Sequence, residues 1–389
     1  MTLHRFAFPT TIHFGPGASK EVGPHLRELG KQRPLVVSDR ALAKLPVAQE
    51  FVASLRAAGL DVALFEGVFG NPMASQANAG GEAYRAHRAD CVVGLGGGAA
   101  VDVAKIVGIL GTAGGDAIEY AYDHPNARAI PDDPPYFIAL PTTAGTGSEV
   151  GRSSVISDDE THVKRIVFSP KILARAVFAD PELTLDLPPA ITAATGMDAL
   201  THNVESYLSP AYHPLCDGIA LEGARIAARA LPRAVADGHD IAARSDMMMA
   251  SMMGAIAFQK DLGAVHSCAH ALSTVADLHH GLANGIMIDH VMRFNLSAAA
   301  TKMAELGRVA GVAGSGSEEA RAESFIAWLA ALKRSLGIPA RLSDYRGTRA
   351  VTRADLPALV RIAEKDICHQ TNPRPCTAAD FERLFESAL

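Results

Sequence analysis

Cysteine is scarce in this 389-residue chain. The five present, Cys91, Cys216, Cys268, Cys368 and Cys376, are odd in number, scattered and never spaced as CxxC. That pattern argues against a disulfide framework and suits a reducing compartment. A run of about 18 to 20 apolar residues, long enough to cross a bilayer, is also missing. The opening MTLHRFAFPTTIHFGPG lacks the basic-then-apolar pattern of an export signal, so a cytoplasmic location is expected. There is no basic surplus: 36 Lys+Arg stand against 42 Asp+Glu, a net charge of −6. This excludes a dominant nucleic-acid-binding surface. No internal repeat or low-complexity tract occurs. With 48% hydrophobic and 20% charged residues the chain reads as a packed globular protein, and at about 150 residues per domain its length suggests two domains.

Histidine, by contrast, is abundant and unevenly placed. There are 15, and five of them, His266, His270, His279, His280 and His290, fall within 25 residues.

The first half alternates short apolar runs, Pro34–Asp39, Asp61–Phe65, Asp90–Leu95 and Tyr136–Leu140, with helical stretches around 44–59, 75–88 and 100–110. Strands that show little apolar/polar alternation and are separated by helices predict a mostly parallel sheet covered on both faces, a Rossmann-like α/β domain over residues 1–186. Ligands of such sheets bind beyond the carboxyl ends of the strands. From about residue 187 the chain is alanine-rich, with apolar residues three to four apart. This predicts an all-helical second domain over 187–389.

Two small-residue loops follow strand candidates. Gly94-Leu-Gly96-Gly97-Gly98-Ala99 opens a helix, where freed N–H groups can approach a pyrophosphate, although such turns also occur for tight packing alone. Pro141-Thr142-Thr143-Ala-Gly145-Thr146-Gly147-Ser148 offers hydroxyls and further N–H groups. None of the acidic residues about 20 positions after the glycines is obviously placed to hold a ribose. Asp39, ending the neighbouring run PLVVSD, could serve instead and would favour NAD over NADP; an ordinary turn role is the alternative.

In AITAATGMDALTHNVESYL, Met197, Leu200, Val204, Tyr207 and Leu208 share one helical face, while Asp198 and His202, four apart, share another stripe. His266 and His270 repeat that spacing, and His280 precedes Gly281. Ser267 stands where a HExxH protease carries its glutamate, which argues against that chemistry. One carboxylate with three imidazoles suits Fe²⁺ or Zn²⁺ better than Mg²⁺ or Ca²⁺. An ion with an open position polarises an alcohol or carbonyl oxygen.

Taken together, FGPGA at 14–18, GGGAAVDVAK at 96–105, PTTAGTGSEV at 141–150, GMDALTHNVESY at 196–207, GAVHSCAH at 263–270, HHGLANG at 279–285 and TNPRP at 371–375 give a chain that resembles the iron-containing (group III) alcohol dehydrogenases over essentially its whole length. The resemblance implies an N-terminal dinucleotide-binding domain, a helical domain of the dehydroquinate synthase-like fold, NAD, a catalytic Fe²⁺ or Zn²⁺, a small alcohol or aldehyde substrate and a homodimer. It implies Asp198, His202, His266 and His280 as ligands, with His270 the nearby histidine tied to proton transfer. Gly96, Gly97, Gly98 and Asp102 fall on its pyrophosphate turn, Thr142, Thr143, Thr146 and Ser148 on its second cofactor loop, and Asp39 on the position linked to NAD preference.

The chain departs from the family pattern at three places. Ala99 replaces a serine, His279 a proline, and at the expected substrate pocket Arg152 and Lys260, the latter beside Phe258, stand where small or polar residues are common. Two cations there could select an anionic aldehyde; alternatively they are solvated or hold a cofactor phosphate. A glycerol dehydrogenase- or dehydroquinate synthase-like enzyme, and a non-catalytic metal- or nucleotide-binding protein, are the rival readings.

Overall fold

The computed structural model describes residues 6–8, 10–312, 314–347 and 349–389. Two compact units emerge. One comprises residues 7–143 and 147–184, and the other takes in Phe6, residues 144–146 and 185–389.

The first unit is built on six parallel strands: β1 (Thr11–Phe14), β2 (Pro34–Asp39), β3 (Ala63–Val68), β4 (Cys91–Gly96), β5 (Tyr136–Pro141) and, after a hairpin, β8 (Ala176–Ala179). Their spatial order is β1-β8-β5-β4-β2-β3. The helices α1 (Val22–Glu28), α2 (Pro46–Ala57), α3 (Ala74–His87) and α4 (Gly98–Ala113) connect them, while β6 (Ser153–Ser157) and β7 (Lys164–Phe168) form a separate antiparallel hairpin. Every residue of β4 and β8 is buried, which is why these strands read as continuous apolar runs. From β2 the chain winds outward to β3; from β4 it winds the other way to β5. The carboxyl ends of β2 and β4 therefore flank the reversal point, where open α/β sheets place their ligands.

The second unit is helical: α5 (Pro189–Leu208), α6 (Pro214–Ala236), α7 (Ile241–Ala257), α8 (Ala264–Ala276), α9 (His280–Val309), α10 (Glu318–Ser335), α11 (Leu356–Lys365) and α12 (Ala378–Ala388). Its centre is α5, packed by α6, α7 and α9. The apolar stripe predicted for α5 understates its burial: from Thr192 to Ser206 every residue is buried. Glycines on the neighbouring helices make this possible. A Cβ on Gly254 of α7 would lie 2.8 Å from the His202 Cβ, and one on Gly281 of α9 would overlap the Ala194 carbonyl oxygen. Close helix approach thus places polar side chains of α5 in a dry interior, where each needs a partner.

Candidate metal centre and dinucleotide site

Asp198 and His202, one turn apart on α5, project from the same face. The Asp198 Oδ1 lies 4.0 Å from His202 Nε2, 3.7 Å from His266 Nε2 and 3.5 Å from His280 Nε2. One helix contributes each further imidazole: His266 comes from the first turn of α8 and His280 opens α9. Asp198, His202 and His266 are buried, with their donor atoms within 4.8 Å of one another. His279 does not join them. It is exposed, and its Nδ1 accepts the Leu282 N–H as the cap of α9.

The electrostatics follow from this crowding. Burial works against an ionised Asp198, but His202 and His280, with the hydrogen bond to His266, outweigh it and hold the carboxyl far below its usual range. Burial pushes His202 down to about 4. Burial also opposes a charged His266, yet its bonds to Asp198 and Glu205 dominate and push it up to about 9. The donor set fits a divalent ion: one carboxylate and three imidazole nitrogens, dry and convergent, of the type borderline metals choose.

Two supporting carboxylates were not anticipated. The Glu205 Oε2 lies 2.6 Å from His266 Nδ1, and Oε1 accepts the Val265 N–H at 2.7 Å. Glu205 therefore caps α8 and leaves Nε2 of His266 facing Asp198, the outer-shell arrangement typical of metal-binding histidines. A carboxylate one turn after His202 on the same helix was the available sequence signal. Asp366, 96 residues from His270, carried none. Its Oδ2 lies 2.7 Å from His270 Nδ1, while Oδ1 accepts the Ser267 hydroxyl and the Cys368 N–H. Burial resists ionisation of Asp366, but His270 and these bonds overcome it and keep the carboxyl well below its normal value. His270 is half-buried, and its ring stacks on His280 with centroids 5.1 Å apart. The half-buried Phe258 stands 5.4 Å from the His202 ring.

In the α/β unit the glycine turn joins β4 to α4. Gly97 caps α4 with no side chain on its first-turn N–H groups, leaving them available to an anion. Gly96 has φ +151°, and a Cβ there would lie 2.7 Å from the Ala100 Cβ and 3.6 Å from Asp39 Oδ2. Only glycine leaves this cradle open. Asp39 Oδ1 accepts the N–H groups of Ala41 and Leu42, so the turn role holds for one oxygen while the other faces Gly96. Thr142 donates its N–H to the Gly96 carbonyl, and the Thr143 side chain lies beside Gly97. Thr146 is half-buried and falls within residues assigned to the helical unit.

Asp102 and Ser148 bond to one another and to their neighbours. The Ser148 hydroxyl donates to Asp102 Oδ1 at 2.5 Å and accepts from Lys105 Nζ at 2.7 Å; Lys105 also donates to the Ser153 carbonyl, and Asp102 Oδ2 accepts the Val155 N–H. These groups clamp the second loop to α4. Next to them Glu149 is buried, with no hydrogen-bond partner on Oε1, and burial pushes its carboxyl up to about 7 against the smaller pull of a backbone N–H and Lys105.

Lys260 needs a correction. Its side chain is fully buried and its ammonium is ion-paired with Asp217, so it presents no cation to a substrate. A four-carbon stem reaching inward past the short helix Phe258–Lys260 was invisible in the spacing. Arg152, half-buried, holds its guanidinium 6.0 Å from the Phe168 ring centroid.

Comparison with known proteins agrees with this geometry. Residues 9–181 match the iron-containing alcohol dehydrogenase family, and 192–389 match the C-terminal region of the Fe-containing alcohol dehydrogenase family. The chain is 36% identical to the NAD-dependent methanol dehydrogenase of Bacillus methanolicus, covering 100% of both sequences. It is 37% identical to the 4-hydroxybutyrate dehydrogenase of Cupriavidus necator, covering 98% of each. The crystal structure of a 1,3-propanediol oxidoreductase superposes with a TM-score of 0.94 at 36% identity, over 100% of both chains. This chain belongs to the iron-containing alcohol dehydrogenase family.

Proposed function

We propose that this NAD-linked, iron-type alcohol dehydrogenase interconverts a small uncharged primary alcohol and its aldehyde, with Asp198, His202, His266 and His280 holding the ion and His270 handling the proton. The observation that carries this reading is the convergence of three Nε2 atoms on one buried carboxylate oxygen.

When bound, the ion supplies a Lewis acid for the substrate oxygen, and NAD supplies the hydride acceptor. The chain's own residues do the rest. Glu205 fixes the His266 tautomer. His270 donates from Nδ1 to the ionised Asp366, which leaves Nε2 to take up the alcohol proton and stabilises the imidazolium that results. Phe258 keeps one side of the His202 ring dry. The α4 N-terminus and the open face at Gly96 suit a pyrophosphate, and the second Asp39 oxygen suits a ribose diol, favouring NAD.

With Lys260 spent on Asp217, the case for an anionic substrate rests on Arg152 alone, and relatives at similar identity are named for both a neutral alcohol, methanol, and an anionic one, 4-hydroxybutyrate. A cytoplasmic homodimer accords with the family and with five free thiols.

The test pairs metal analysis with NADH turnover on matched neutral and anionic aldehydes. His202→Ala loses both metal and turnover, and the native protein favours the neutral member. Metal content and turnover that survive the substitution would sink the ligand assignment.

A further inference from the structure

Asn284 lies one helical turn after His280 on α9 and is fully buried. Its Nδ2 is 2.7 Å from Asp198 Oδ1 and 3.3 Å from Nε2 of both His266 and His280. A single amide nitrogen thus sits against three of the four proposed ligands, which come from three different helices. Chemistry fixes which end of the amide faces them. At 2.7 Å from a carboxylate oxygen only a donor is tolerated, since an amide oxygen there would set two acceptors against each other.

The other end of the side chain is uncompensated. The Asn284 Oδ1 is buried and has no hydrogen-bond partner among the described residues. An orphaned buried acceptor is destabilising, because the hydrogen bond it gave up to water is not replaced. A leucine of similar volume would avoid that cost, so stability alone does not account for an asparagine at this position. The packing that delivers the amide is equally specific: at Gly281, on the preceding turn, α9 lies so close to α5 that a Cβ there would overlap the Ala194 carbonyl oxygen and lie 3.2 Å from the Asp198 Cβ.

We infer that Asn284 is a positioning residue for the metal centre. Its amide donor holds the Asp198 carboxylate in the orientation that the three imidazoles need and spaces His266 from His280, so that the ligands are pre-arranged before the ion enters. This rests on the ligand assignment above. Outer-shell partners of this kind change metal affinity by about 10- to 100-fold.

The experiment strips metal from the intact protein and titrates it with Co²⁺ against a competing chelator, reading the ligand-field absorption, while the melting temperature of the metal-free protein is recorded separately. In Asn284→Leu and Asn284→Ala, Co²⁺ affinity falls about 10- to 100-fold. The metal-free Leu variant melts close to the native protein, because the lost donor bond is offset by removal of the orphaned oxygen. Affinity within twofold of native in both variants overturns the inference. So does a fall in affinity that merely tracks a large loss of metal-free stability in both. His202→Ala, run in parallel, separates this from the underlying reading: if that variant keeps the native Co²⁺ absorption, the ligand set itself is wrong.

Discussion

Replacing Glu149 by Gln should stabilise the protein at alkaline pH and do little in mild acid. The carboxyl is buried beside the clamp of Asp102, Lys105 and Ser148, and Lys105 already has three acceptors there. Glu149 has no dedicated counter-ion, and burial raises it from 4.5 to about 7. Folding therefore raises its proton affinity. The stabilisation that comes with its proton is complete below 4.5, the unfolded value, and is lost as pH rises through about 7. At about 1.4 kcal/mol per tenfold change in proton affinity, the gap between 4.5 and 7 is worth about 3 kcal/mol above pH 8 and under about 1 kcal/mol at pH 5. Glutamine is neutral at every pH and nearly isosteric. Urea denaturation of the native and Glu149→Gln proteins at pH 5 and pH 8.5, followed by far-ultraviolet circular dichroism, reads the difference directly. An equal effect at the two pH values, of either sign, would mean that Glu149 does not change its protonation between them and would refute the raised carboxyl.

Two further outcomes follow from packing. Gly281→Ala places a methyl group on the Ala194 carbonyl oxygen, so α9 must back away from α5; a loss of about 1–3 kcal/mol and a fall in bound metal are expected in thermal melts and elemental analysis, whereas Gly218→Ala, with nothing within 4 Å, is neutral or stabilising. Lys260→Met leaves Asp217, about one-third exposed, without its partner and should cost about 1–3 kcal/mol, while the ratio of kcat/KM for anionic and neutral aldehydes stays within about twofold. A tenfold loss of anionic preference would return Lys260 to the substrate pocket.

Much of this molecule was legible before its structure. The parallel sheet announced itself through unbroken apolar runs, because strands covered on both faces have no polar side to display. Asp198, His202, His266 and His280 stood out because a spacing of four residues, one helical turn, and a cluster of imidazoles are visible along the chain. What escaped were relationships that exist only across the fold. Asp366 meets His270 over 96 residues, and Glu205 meets His266 over 61. Asp102, which the family resemblance placed on the pyrophosphate turn, sits one turn into α4, and its bonds to Ser148 and the backbone of β6 could not be read from the sequence. Lys260 misled for a similar reason: charge implies solvent until a long stem buries the ammonium against a carboxylate such as Asp217.

The glycine-lined burial of α5 bears on how such an enzyme can diversify. A helix pressed on several sides cannot rotate or slip without colliding with backbone, so the part that holds the ion is closed to gradual change. Innovation is left to positions with room to vary, such as the half-buried Phe258 beside the His202 ring. A lineage built this way would keep one reaction and exchange its substrates, much as a fixed lathe accepts different tools.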